Sequence, residues 1–209
     1  MKAKLLVRFE KWANWKNILV LFILQMLFNL VFLPGASGSD AHNLPILDLK
    51  FFYTPAQAYE IIAAYTPAIR RAAALSRLTV DIIYPLVYGM LICLLLVVTF
   101  RRVFANDVIA SERSNLTEEE IAASGWVSTS STSSPPRIDR FDWVIFLPWG
   151  GVLFDYLENI GLASLYLSYP AQLTALAWLT AIFTALKWTL IGVAFLALLL
   201  GGAQWFKNR

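Results

Sequence analysis

Four long apolar runs, each bounded by polar or basic residues, set the pattern of the chain, over about 17–33, 80–100, 143–167 and 173–200. About 20 helical residues at a 1.5 Å rise cross the roughly 30 Å hydrocarbon core of a bilayer, a length these runs reach or approach. Between the first two runs, Thr54-Pro55 and Thr66-Pro67 each read as an N-cap hydroxyl followed by a first-turn proline, which predicts two short helices. Over 104–139 the apolar pattern stops: Thr117 to Glu120 resembles a capping box, and Ser124 to Pro136 is rich in Ser and Thr and ends in a Pro pair. The pattern predicts an all-α, four-transmembrane-helix bundle, a single membrane domain over 1–209. It adds a short-helix extracytoplasmic cap over 44–79 and a flexible cytoplasmic loop over 104–139.

Composition agrees. Hydrophobic residues make up 58% of the chain, above the roughly 45–50% usual for a soluble domain. The first run could pass for a secretory signal. Trp12 and Trp15 before it, and Gln25 and Asn29 within it, suit a retained helix with interfacial anchors better. Met1 to Lys16 reads as a basic amphipathic stretch with Leu5, Phe9, Trp12 and Trp15 on one face, lying on the cytoplasmic leaflet.

Charge sets the orientation. Lys2, Lys4, Arg8, Lys11 and Lys16, then Arg101, Arg102, Arg113, Arg137 and Arg140, then Lys207 and Arg209, fall on one side. Only Lys50, Arg70, Arg71 and Arg77 fall on the other. The positive-inside rule then puts both termini in the cytoplasm of a multi-pass protein of the cell (inner) membrane. A pI near 9.0 would also suit nucleic acid. Because the basic residues gather at the ends of apolar runs, the lipid bilayer is the expected partner and nucleic acid is not. One Cys and one His fit no zinc motif, so no metal and no cofactor is expected.

The polar residues inside the runs carry the candidate chemistry. Asp155, Glu158 and Asn159 share one helical face in the third run, and Lys187 stands in the fourth. Each acid at mid-membrane costs about 2.5–3.5 kcal/mol, so a partner is needed. A short connection makes the third and fourth runs an antiparallel hairpin. Asp155 and Lys187 lie near the midpoints of their runs, so the spacing predicts that they pair, with Thr184 level with Glu158. Two acids against one base leave an imbalance, met by a protonated carboxyl, a cation or a water-filled cavity. Asp81, Tyr84 and Tyr88 form a stripe in the second run, Asp81 also being placed to cap its helix. Gln25 and Asn29 share a face in the first. Together these nine residues predict a polar pocket that opens outward beneath the cap. The alternative is that they only hold helices together.

Asp81-Ile82-Ile83-Tyr84-Pro85 and Asp155-x-x-Glu158-Asn159, with a lysine in the last helix and Tyr169-Pro170 between, resemble a family of uncharacterised bacterial four-helix membrane proteins. That resemblance implies a fold but no activity. In architecture and buried acids the chain is also similar to the sterol-isomerase and sigma-2-receptor type, which implies a pocket for amphipathic cations or sterols. Three functions stay open. The first is binding or transport of a small amphipathic or cationic ligand, with Asp155 and Glu158 as acceptors and Lys187 as counter-ion. Four spans are few for a transporter, so transport would call for a homo-oligomer or a complex partner. The second is a lipid-modifying enzyme using Glu158 as acid and Asp155 as base. The third is a scaffold or assembly subunit.

Overall fold

A computed structural model of the chain describes residues 8–32, 46–115 and 142–207. Among them, every regular element is helical. A turn of helix over 8–12 breaks at Asn14, whose side chain accepts from the Asn17 N–H at 3.0 Å and starts α1, Trp15–Leu27. This helix widens into a π-helical turn, Phe28–Phe32.

A 3-10 turn, Leu47–Leu49, leads to α2, Pro55–Ala64, and α3, Pro67–Arg77. Both starts are those the sequence predicts. The Thr54 hydroxyl accepts from Gln57 N–H at 3.3 Å, and the Gln57 side chain accepts from Thr54 N–H at 2.9 Å, a complete capping box. Thr66 likewise accepts from Ile69 N–H at 3.3 Å.

Three long helices follow: α4, Val80–Asn115; α5, Asp142–Ser168; and α6, Thr174–Lys207. The expected flexible loop is corrected at its start. Residues 104–115 continue α4, because nothing between Phe104 and Asn115 is a Gly or Pro that would stop it. The rest of that loop, with Thr117 to Glu120, and the expected cap residues 44–45 lie outside the described residues.

Val80–Arg101 and Thr174–Trp205 are long and apolar enough to cross a membrane, with mean hydropathies of 2.5 and 2.0. Trp15–Leu30 is apolar but shorter. At 27 residues α5 has the length of a span, and its central acids and amide lower its apolarity.

Helices α5 and α6 form the expected antiparallel hairpin, joined by residues 169–173. Glycine permits their close approach: a Cβ on Gly151 would meet Ile191 Cγ1 at 3.0 Å, and one on Gly161 would collide with the Thr180 side chain. Helix α4 packs on both, and α1 packs chiefly on α4. The cap is bound into the bundle rather than laid loosely over it. Leu47, Tyr53, Ile62 and Tyr65 share a core with Leu162, Leu165, Tyr166 and Ala181. At the opposite end a second core joins Cys93, Leu96 and Val97 to Val144, Ile145 and Ala194. Phe9 joins it against Trp149 and Phe146, at ring separations of 6.3 and 6.2 Å. The amphipathic N-terminus therefore uses one aromatic to dock on α5, while Trp12 and Trp15 stay exposed.

Candidate ligand site within the bundle

The site is built from the rotation of α5. At 100° per residue, Glu158 lies about 60° to one side of Asp155 and Asn159 about 40° to the other. One face therefore splits into two environments. Glu158 turns into the seam with α6, where it is fully buried. Its Oε2 is 2.5 Å from Lys187 Nζ, and the Thr184 hydroxyl lies 2.9 Å from its Oε1. Asp155 turns toward α4, where the Tyr88 hydroxyl donates to its Oδ2 at 2.8 Å. Asn159 Nδ2 donates to Asp155 Oδ1 at 3.4 Å.

The expected pairing is present, with a second and closer one beside it. Lys187 does meet Asp155, at 3.5 Å, but its closer ion pair is with Glu158. Thr184 is level with Glu158, as the depth argument predicts. The lysine thus bridges the two carboxylates, one charge-assisted contact tighter than the other.

Asp81 has a partner that the sequence reading missed. Arg77, one turn back across the α3–α4 junction, is buried and lies 3.4 Å from Asp81 Oδ2, with its guanidinium over the Tyr166 ring at 5.5 Å. In the charge pattern Arg77 counts only as one of the few basic residues on the cap side. Only its i, i+4 spacing to Asp81 could have shown otherwise. Tyr53 was missed as well. It is completely buried, and its hydroxyl lies beside that of Thr184 without regular hydrogen-bond geometry. Burial pushes the Tyr53 phenol up from its ordinary pKa, partly offset by that hydroxyl.

A cavity of about 330 Å³ joins most of the predicted residues. Gln25, Asn29, Asp81, Tyr84, Tyr88, Asp155, Asn159 and Lys187 all stand on its wall, and Glu158 does not. Asn29 comes from the π-helical turn of the first run, where it accepts from the Tyr84 hydroxyl at 3.4 Å and donates to the Gln25 carbonyl at 3.0 Å. Gln25 Oε1 is buried beside Tyr84 without a regular hydrogen bond. The remaining wall is apolar: Leu91, Ile92, Ile191 and Phe195, with Trp188 at the side.

Among the described residues, the cap contributes only Leu49 to the wall, while Trp188 and Phe195 of α6 line it and are also exposed on the bundle flank. Among the described residues, the buried Asp, Glu, Lys and Arg side chains are Asp81, Asp155, Glu158, Arg77 and Lys187, and each has an ionic partner among the others. No group of three or more His, Cys, Asp or Glu among the described residues has the arrangement of a metal site. No protein-family model, curated protein or solved structure matches the chain, so the family resemblance rests on its motifs alone.

Proposed function

We propose that the chain is a four-span membrane bundle that binds a small amphipathic cation in the cavity between α1, α4, α5 and α6. The observation that carries this reading is the cavity wall. It sets Asp155 and Asp81, with the oxygens of Gln25 and Asn29, against an apolar half. Such convergence of a few polar groups in a mainly apolar hollow is the usual form of a small-molecule site, and 330 Å³ lies at the lower end of the size range. The carboxylate and amide oxygens on that wall are acceptors, which suits a ligand that donates hydrogen bonds from a positive charge.

Membrane insertion is supported by where the apolar side chains lie. In the most apolar window of α6 only 22% is buried. Leu19, Phe22 and Ile23 of α1, Leu153 and Ile160 of α5, and Ile182, Leu196 and Leu199 of α6 are exposed. A soluble monomer seldom exposes more than a few hundred Å² of contiguous apolar surface. With four crossings, the lysine and arginine distribution puts both termini on the cytoplasmic side and the cap outside. The acids of α5 are then compensated inside the bundle by Lys187, as intramembrane charges require.

The test is thermal stability of purified protein against a panel of amphipathic amines. A ligand at about 100 times its Kd adds roughly 2.7 kcal/mol, which a melting curve reads directly. At least one amine should stabilise the wild type and fail to stabilise Asp155→Asn. If none stabilises either protein, the reading is lost and the cluster reduces to helix glue. The catalytic alternative has less support, because Glu158, its acid, has no place on the cavity wall.

A further inference from the structure

The wall of the cavity is sorted by polarity along the bundle axis. Toward the cap stand Asp81, Asn29 and Gln25, and Asp155 and Lys187 follow below them. Beyond these, Ile92 on α4 and Phe195 on α6 lie about 16 Å from Asp81 and about 12 Å from Lys187 along their helices, at 1.5 Å per residue. The far half has no polar side chain on its wall. The cavity is therefore long, charged at one end and greasy at the other.

It is also open on one flank. Helix α1 packs chiefly on α4, so the cavity separates it from α6. Trp188 and Phe195 belong at once to the wall and to the exposed surface of α6. Among the described residues, the cap supplies only Leu49 to the wall. A ligand reaching Asp155 from the flank thus passes exposed apolar surface at Trp188 and Phe195.

We infer that the occupant is a single-chain lipid-like amine held lengthwise. Its ammonium lies among Asp155, Asp81 and Asn29, its first methylenes lie along Ile92 and Ile191, and the rest of its chain leaves between α1 and α6 into the bilayer. This rests on the cavity reading above and fixes the ligand class and pose within it. The cavity volume holds a head group and part of one chain, whereas a two-chain phospholipid exceeds it. The orientation, head toward the cap and chain toward the bundle middle, is that of a lipid in the leaflet on the cap side.

The experiment uses the full chain in lipid nanodiscs and two photoreactive sixteen-carbon amines, one with a diazirine near the head group and one with it near the chain end. The cross-linked residue is read by mass spectrometry. The first probe should label the cavity wall at Ile92 or Ile191. The second should label the outer flank at Phe195 or Leu199. Both should be competed by unlabelled hexadecylamine and fall at least tenfold in Asp155→Asn. Leu199→Trp, on the exposed flank outside the cavity wall, should move the second label while butylamine still stabilises the protein. Labelling by either probe on α2 or α3 overturns the pose and the lateral route, yet leaves a cation site at Asp155 standing if butylamine still stabilises the wild type. Label that is neither competed nor reduced in Asp155→Asn, with no amine stabilising, removes the cation site itself.

Discussion

Lys187 stands between two regions that treat the same chemistry differently. On one side is the α5–α6 seam, where Glu158 is fully buried against the ammonium and the Thr184 hydroxyl. On the other is the cavity, where Asp155 shares the same ammonium at 3.5 Å but also receives the Tyr88 hydroxyl and Asn159 amide. The seam is closely packed where Gly151 and Gly161 let the helices touch. The cavity has about 330 Å³. A carboxylate in a closed seam can only be structural. One on the wall of a hollow can exchange partners.

The largest effect should come from the residue common to both regions. Lys187→Met leaves two buried carboxylates without their shared cation, and removing one member of a buried ionic cluster costs about 3–5 kcal/mol. Chemical denaturation in detergent should show that loss, or the variant should fail to accumulate. Glu158→Gln should follow at about 3 kcal/mol, because Lys187 keeps only its longer contact. Asp155→Asn should cost about 1–2 kcal/mol, since Tyr88 can still donate to the amide oxygen. If Asp155→Asn proved the more damaging of the two, the division between seam and cavity would be wrong.

A neutral substitution tests the same division without charge. Gly161→Ala puts a methyl group into the buried Thr180 side chain and should cost about 1–3 kcal/mol as overpacking. Asn29→Ala, on the cavity wall, should cost about 0.6 kcal/mol, the average for a polar contact between membrane helices. Melting temperatures of the two variants against wild type provide the check. Equal losses would mean that the cavity wall is as tightly braced as the seam.

Much of this arrangement was legible in residue spacing. Thr54-Pro55 and Thr66-Pro67 marked their helices because capping is local chemistry. The meeting of α5 and α6 acids and base followed from depth, since a short connection leaves an antiparallel hairpin little freedom of register. What spacing does not contain is side-chain direction within a shared face. Glu158 and Asp155 are three residues apart, and a lysine arm reaches both, so the tighter pair was decided by the neighbours of α5. The burial of Arg77 is hidden in the sequence for a similar reason. Its position beside a loop suggests solvent, and only the seating of α3 on α5 turns it inward beneath Tyr166. The course of α4 to Asn115 was hidden by polar composition, which marks exposure and not helix termination.

The smallest effect concerns the point where the cap touches the seam. Tyr53 is fully buried beside Thr184, and its hydroxyl makes no regular hydrogen bond among the described residues. Tyr53→Phe should therefore change stability by less than about 0.5 kcal/mol near neutral pH, the low end for a regular hydrogen bond. Its consequence is reserved for alkali. Burial raises the phenol's pKa above its ordinary value of about 10, so above that pH the unfolded chain releases a proton that the folded one keeps. This contribution is present below the unfolded value and is lost as pH rises beyond it, so stability falls with pH there. Unfolding measured between pH 9 and about pH 11 should fall less steeply for Tyr53→Phe than for wild type. Parallel curves would mean that the phenol ionises as easily in the folded protein, and hence that water reaches the join between cap and seam.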